Sequence, residues 1–421
     1  MKWNWKKISI GTLSAVAALT LAACGGSPST ESSSSAAAGG EQETLLISSA
    51  GLYDYLSVNI ADFEKANNVK VEVLDKDMFD ALDGLSLDGP AGTAPDVLIA
   101  PYDRMGSLGQ TGQIAEVKLN EAAAYDETDK RQVTAEGKIF GAPAVIETLV
   151  MYYNKDLLPE APKTFAEVEA LGKDPKYNFE GEAGKNTGFL AKWTDFYFSY
   201  GLIAGYGGYV FGDNGTKVDD IGLNSTGAVD GITYATKWFQ EVWPQGMRDV
   251  KSAGEFVNQS FLDGKTAAII NGPWDASKFK EAGLNFGVAK IPTLDNGKEY
   301  APFAGGKGWV ISNYSTKKEL AQKFLDWVTS EEQQNKMYEV LGEVPANQVA
   351  RKKATEANSE LTNAVIDVYA NAVPMPNIPQ MGEVWTGAEN LMFDAVSGNK
   401  TPQQSADDAT KLIKESIQQK Y

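Results

Sequence analysis

The chain has a single cysteine, Cys24, so no intrachain disulfide can staple any of its 421 residues and the fold must stand on its own core. The position of that cysteine says where the folded part begins. Lys2, Lys6 and Lys7 make a basic start, Ile8 to Ala23 carries no charge, and Leu21-Ala22-Ala23 places small residues just before Cys24. This is the layout of a secretory signal peptide over residues 1–23, too short to serve comfortably as a permanent membrane span. Residues 24–40 then form a Ser/Ala/Gly-rich tether whose one charge is Glu31. Some 380 residues follow, too many for one comfortable core, so two domains are expected.

Charge and composition exclude whole classes of function. The chain has 38 basic and 56 acidic residues; with the three lysines ahead of Cys24 removed, the remainder carries −21. A surface this acidic repels phosphate backbones and anionic headgroups, so no nucleic acid partner is expected and any membrane attachment must come from a lipid. There is no histidine. That removes Ser-His-Asp and Cys-His catalysis and His-ligated zinc together. No phosphate-loop or metal-ligand spacing stands out, and no cofactor is expected.

Periodicity places the elements. Thr44 to Ser49, Val69 to Leu74 and Asp96 to Ala100 read as strands, with a helix over Val58 to Asn67 whose Val58, Ala61 and Phe63 face inward. Strands alternating with helices imply an α/β domain with a largely parallel sheet, and such sheets bind ligands beyond the carboxyl ends of their strands, where Asp103 and Arg104 fall. Further on, Met151 to Asn154 and Ala267 to Asn271 read as strands. Helices are expected over Phe165 to Leu171, Gly227 to Glu241 and Thr316 to Val328, the last opened by a Thr316/Glu319 capping box and buried along Leu320, Phe324, Trp327 and Val328.

Four blocks then carry a resemblance. They are APDVLIAPYDRMGSLGQTGQIAEV (Ala94 to Val117), IFGAPAVIETLVMYYNKDLLPEAPKTF (Ile139 to Phe165), FVNQSFLDGKTAAIINGPW (Phe256 to Trp274) and PMPNIPQMGEVW (Pro374 to Trp385). In order and spacing they resemble the maltose/maltodextrin-binding proteins of bacterial ABC importers over nearly the whole mature chain, and Leu21-Ala22-Ala23-Cys24 resembles the lipobox of bacterial lipoproteins. The resemblance implies a two-lobed α/β fold of the periplasmic-binding-protein type, with crossover hinge strands and the ligand cleft between the lobes. One lobe would comprise 41–146 and 305–350, the other 150–303 and 355–421. It also implies a non-enzymatic receptor, acylated at Cys24 and held on the outer face of the cell membrane. Such a receptor acts as a monomer, capturing maltodextrin-type oligosaccharides and delivering them to the permease subunits.

A glucan offers apolar C–H faces and a rim of hydroxyls, so its cleft needs flat aromatic rings beside carboxylates and a cation. The resemblance assigns ring stacking to Tyr197, Phe198, Trp274 and Trp385, hydroxyl contacts to Asp103, Arg104, Glu147 and Asp195, and a lining role to Met375. Glu147 is conspicuous from the residues alone, as an acid inside the apolar run Ala142 to Met151. Two departures bear on the subsites. Ala50-Gly51 stands where the best-known member has an Asp-Lys pair, with Tyr53 nearby as a partial replacement. Ala100 stands where the family has a further Trp, for which Trp193 would compensate. A receptor for another oligosaccharide, such as a cyclodextrin, stays open, as does a secreted glycoside hydrolase, whose cleft also combines rings with acids.

Overall fold

A computed structural model describes residues 42–421, which form one compact unit; the expected signal peptide, Cys24 and the tether lie outside the described residues. In chain order the strands are β1 (Thr44–Ser48), β2 (Lys70–Leu74), β3 (Val97–Pro101), β4 (Thr134–Ala135), β5 (Lys138–Ile139), β6 (Ala142–Glu147) and β7 (Val150–Asn154). They continue with β8 (Phe189–Ala191), β9 (Lys217–Ile221), β10 (Ala268–Asn271), β11 (Phe286–Ala289), β12 (Phe303–Ile311) and β13 (Val373–Pro374).

Two sheets organise them. The first runs β13-β12-β3-β1-β2, with β6 also paired to β12; the second runs β11-β7-β10-β8. In the first, β1 lies parallel to β2 and β3, as their intervening helices demand, but β12 returns antiparallel against both β3 and β6. The second is also mixed, with β7 antiparallel to β10 and β11. The strands read near the start of the chain are parallel to one another as expected, but each whole sheet is mixed, through β12 in the first and β7 in the second. The chain passes from the first sheet to the second between Glu147 and Val150, and comes back between Ala289 and Phe303. This is the two-lobed α/β architecture that the resemblance implies.

Each sheet buries its faces under helices. Leu45, Ile47, Val97, Ile99, Trp309 and Phe324 pack with Phe63 on one side of the first sheet. The second is centred on aromatic residues: Trp193, Trp238 and Trp243 interlock, with Trp193 and Trp243 5.1 Å apart between ring centres.

Three local expectations change. The first helix runs Tyr53–Asn67 and buries Tyr55, Leu56 and Phe63, while Val58 is 69% exposed and Ala61 is exposed too. Its start lies five residues earlier than the apolar pattern indicated, which turns Val58 to solvent. The later helix runs Lys318–Val328 with no side-chain cap, so the Thr316/Glu319 box does not form; the backbone N–H of Lys317 bonds instead to the Ser315 hydroxyl. Its buried stripe is as expected at Leu320, Phe324 and Val328, with Trp327 half-buried against Phe63. The helix expected over 227–241 runs Thr226–Lys237 and then widens into a π turn, Trp238–Val242.

Candidate functional site

The carboxyl ends of β2, β3, β8 and β10 all feed loops into one cleft of about 790 Å³, within the range of small-ligand sites. After β3, Pro101 opens the helix Tyr102–Gln110 and sets Asp103 in its first turn, with Arg104 beside it. After β8, Asp195 caps the helix Phe196–Gly205 and places Tyr197 and Phe198 in its first turn. After β10, the short turn Pro273–Asp275 projects Trp274. Glu147 ends β6, Met375 follows β13, and Trp385 lies on the helix Met381–Val396. All nine residues named from the sequence line this one cleft.

The aromatic side chains form a connected wall. Tyr197 lies 6.2 Å from Trp274 and 6.2 Å from Phe303, and Phe198 meets Trp274 edge-on at 6.4 Å. Gly272 lets the indole lie flat on the backbone: a Cβ there would fall 2.1 Å from the Trp274 ring. Trp274 still keeps 36% of its surface exposed, which is large for an indole and leaves ring available. On the other side Trp385 packs on Phe196 and Phe303 at 5.6 and 5.8 Å, while its Nε1–H donates to Asp103 Oδ2 at 2.9 Å. That bond joins a helix packed with the second sheet's core to one that follows a strand of the first.

Charge is distributed around these rings. Burial pushes the Asp103 carboxyl up, and the Trp385 hydrogen bond and Arg104 hold it back. Arg104 pairs with Asp83 at 3.1 Å and rests over the Phe79 ring at 5.4 Å. Glu147 is buried and pushed up by that burial; the Lys307 ammonium, 2.8 Å away, opposes the rise and Glu343 adds to it. Burial also raises the Tyr197 phenol, with Glu147, Asp103 and Asp195 adding to it, so it stays a neutral hydroxyl able to donate and accept. Asp195 has other partners already: Oδ1 accepts from the Tyr197 backbone N–H at 2.9 Å, and Oδ2 pairs with Lys192 at 3.0 Å.

Residues 59–363 match the family described as bacterial extracellular solute-binding proteins. The chain belongs to that family. Two curated relatives of this solute-binding protein align nearly end to end with it. The maltodextrin-binding protein MdxE of Bacillus subtilis is 54% identical over 405 residues, 96% of each chain. A maltooligosaccharide ABC transporter solute-binding lipoprotein of Streptococcus pneumoniae is 51% identical over 413 residues, 98% of this chain and 97% of its own. Among solved structures, the maltose-binding protein MalE of Listeria monocytogenes in complex with maltose is 63% identical. It superposes with a TM-score of 0.81 over 91% of this chain and 100% of its own.

Two compensations suggested by the sequence of this solute-binding protein are not found. Trp193 is fully buried, stacked on Phe165, with its Nε1–H donated to the Tyr300 hydroxyl, and is a core residue. Tyr53 is exposed but does not line the cleft, although Ala50 and Gly51 do. Beside them, at the end of the neighbouring strand β2, the cleft is lined by the segment Asp75-Lys76-Asp77-Met78-Phe79, which sequence reasoning passed over. Asp77 Oδ1 accepts from the backbone N–H groups of Phe79 and Asp80 and so caps the helix Met78–Asp83, which sets Phe79 at the rim. The signal was available: a run of alternating charges after a strand, then an apolar pair too short for a core element. Lys307 was missed as well, because nothing local marks a lysine in β12 as the partner of an acid 160 residues earlier.

Proposed function

We propose that this solute-binding protein captures maltose- and maltodextrin-type oligosaccharides outside the cell and hands them to the permease of an ABC importer. The observation that carries the reading is the convergence of the nine residues on one cleft, in a chain more than half identical to relatives that bind such sugars. Trp274, Tyr197, Phe198 and Trp385 would stack on the apolar faces of glucosyl rings, and Asp103, Arg104 and Glu147 would take the hydroxyls. Asp195 would act chiefly by holding the first turn of the Tyr197 helix.

Binding and release follow from the two lobes, taken as 41–146 with 305–350 and 150–303 with 355–421. A sugar touching both stabilises the closed arrangement only by the contacts it makes there and not in the open one, and the permease would dock to the closed form. The receptor would work as a monomer, anchored through lipid on Cys24 to the outer face of the membrane; one acyl chain binds only marginally, so more than one is needed. No helix among the described residues is long and apolar enough to cross a membrane.

Calorimetric titration of residues 42–421 with maltotriose, followed by chromatography of the mixture, tests the reading. Saturable heat with the sugar recovered intact is expected. Shortened products would make the protein a hydrolase, and heat only with a cyclodextrin or a galactooligosaccharide would move the ligand class.

A further inference from the structure

The cleft floor holds a charge arrangement that stacking and hydroxyl contacts do not require. Lys307 sits on β12 where the register against β6 shifts between Lys307 and Gly308. Such an irregularity bends a strand and re-aims a side chain. Here the side chain, 13% exposed, brings Nζ to 2.8 Å from Glu147 Oε1 and 3.7 Å from Glu343 Oε1. The neighbouring glycines keep the floor open and the strands close: a Cβ at Gly306 would lie 2.3 Å from the Val145 carbonyl oxygen.

Two carboxylates thus share one ammonium. The trio has more acceptor oxygens than one ammonium can serve, and the buried Glu343 Oε2 has no hydrogen-bond partner among the described residues. An excess of buried acceptors is the complement of a ligand rich in hydroxyls.

We propose that Lys307 is a positioning residue for sugar recognition: its ion pair keeps Glu147 charged and turned to accept sugar hydroxyls, while Glu343 steadies the ammonium from the far side. The proposal rests on reading the cleft as an oligosaccharide site. Of the groups that act on Glu147, Lys307 pulls its carboxyl down, whereas burial and Glu343 push it up. Tyr197 faces it from the helix Phe196–Gly205, and Asp103 and Arg104 line the same cleft from the helix Tyr102–Gln110. Without Lys307, two buried like charges would face each other, and one would take up a proton. A protonated carboxyl is a weaker acceptor, because charge-assisted hydrogen bonds are roughly twice as strong as neutral ones.

The test is maltotriose affinity of residues 42–421 at pH 6 and pH 8 for wild type, Lys307→Met and Lys307→Arg. The wild type is expected to change less than about threefold between the two values. Lys307→Met binds about tenfold or more weakly at pH 6 and regains much of that at pH 8, as the proton leaves Glu147; about 1.4 kcal/mol corresponds to tenfold. Lys307→Arg, with the charge kept but the geometry changed, binds more weakly than wild type yet stays flat with pH. If Lys307→Met does not fold, Lys307→Gln gives the same readout. A charge-free variant that binds as well as wild type, or more weakly by the same factor at both pH values, overturns the proposal. Silence of the wild type towards maltotriose would sink the ligand reading itself, an outcome separable from a failure at Lys307 alone.

Discussion

At the scale of single residues, the cleft shows side chains holding two tasks at once. Trp385 turns a ring to the cleft and donates its N–H to Asp103, a buried carboxylate otherwise held by Arg104 and a backbone hydrogen bond. Replacing it with Phe keeps most of the ring and removes the bond. Trp385→Phe should lower folding stability by about 1–3 kcal/mol, the cost of leaving a buried charged acceptor short of a donor. Asp103 is already pushed up by burial, and losing the donor pushes it further. A raised acid stabilises the fold below its ordinary pKa and loses that contribution as pH rises through the raised value. The deficit of Trp385→Phe should therefore be smaller at pH 4 than at pH 7, and urea unfolding at the two pH values measures it. An equal deficit at both would remove Asp103 from the explanation.

At the scale of elements, the helix Phe196–Gly205 ties folding to the site, since its cap and its first turn are the residues in the cleft. Asp195 accepts from Tyr197 N–H, and losing such a cap costs typically about 1 kcal/mol. Asp195→Ala should lower stability by about that much and weaken sugar affinity, while Asp195→Ser, which keeps a capping oxygen, should recover most of both. Loss of affinity in the Ser variant equal to that in Ala would instead make Asp195 a direct contact. Elements of this kind were legible in the sequence where pattern and punctuation agree: the strands near Thr44, Asp96 and Ala267, and the helix Phe165–Leu171 with its Thr164 cap. They were misread where one signal stood alone. The apolar spacing from Val58 missed Tyr55 and Leu56 one turn earlier, and Thr316 satisfied a capping motif that Ser315 supplants. Glu147 was legible because an acid in an apolar strand must find a partner; Lys307, that partner, was not, because the pairing depends on a strand register fixed only by the fold. Trp193 shows the limit from the other side, since composition cannot tell a platform from a core indole.

At the scale of the whole molecule, a buried ionic joint lies apart from the cleft. Arg351 donates to Asp129 at 2.7 Å and Asp126 at 3.0 Å, and to the backbone carbonyls of Pro345 and Ala346. The Tyr369 hydroxyl donates to Asp129 at 2.9 Å, from the helix Glu360–Tyr369, which packs on β7 and β11. Asp129 lies in a helix beside β4, so the joint links the neighbourhoods of both sheets. Arg351→Leu should cost about 3–5 kcal/mol, because it leaves a fully buried carboxylate without its cation. Burial has already raised the Asp129 carboxyl to about 6, and removing the cation raises it further. Its contribution favours the fold at low pH and is lost as pH rises through that value, so the variant's deficit should shrink between pH 8 and pH 5. Thermal unfolding across that range checks it, and a deficit that grows on acidification would contradict the assignment.

The central claim, that this cleft is where an oligosaccharide binds, is tested most directly by calorimetric titration of maltotriose into wild type and Trp274→Ala. The account predicts saturable heat for the wild type and an affinity roughly thirty-fold weaker for the variant, the scale of a well-packed aromatic contact worth about 2 kcal/mol, with both proteins folded. Equal affinity in the two would place the sugar elsewhere, and no heat in the wild type would contradict the ligand class while leaving the solute-binding fold in place.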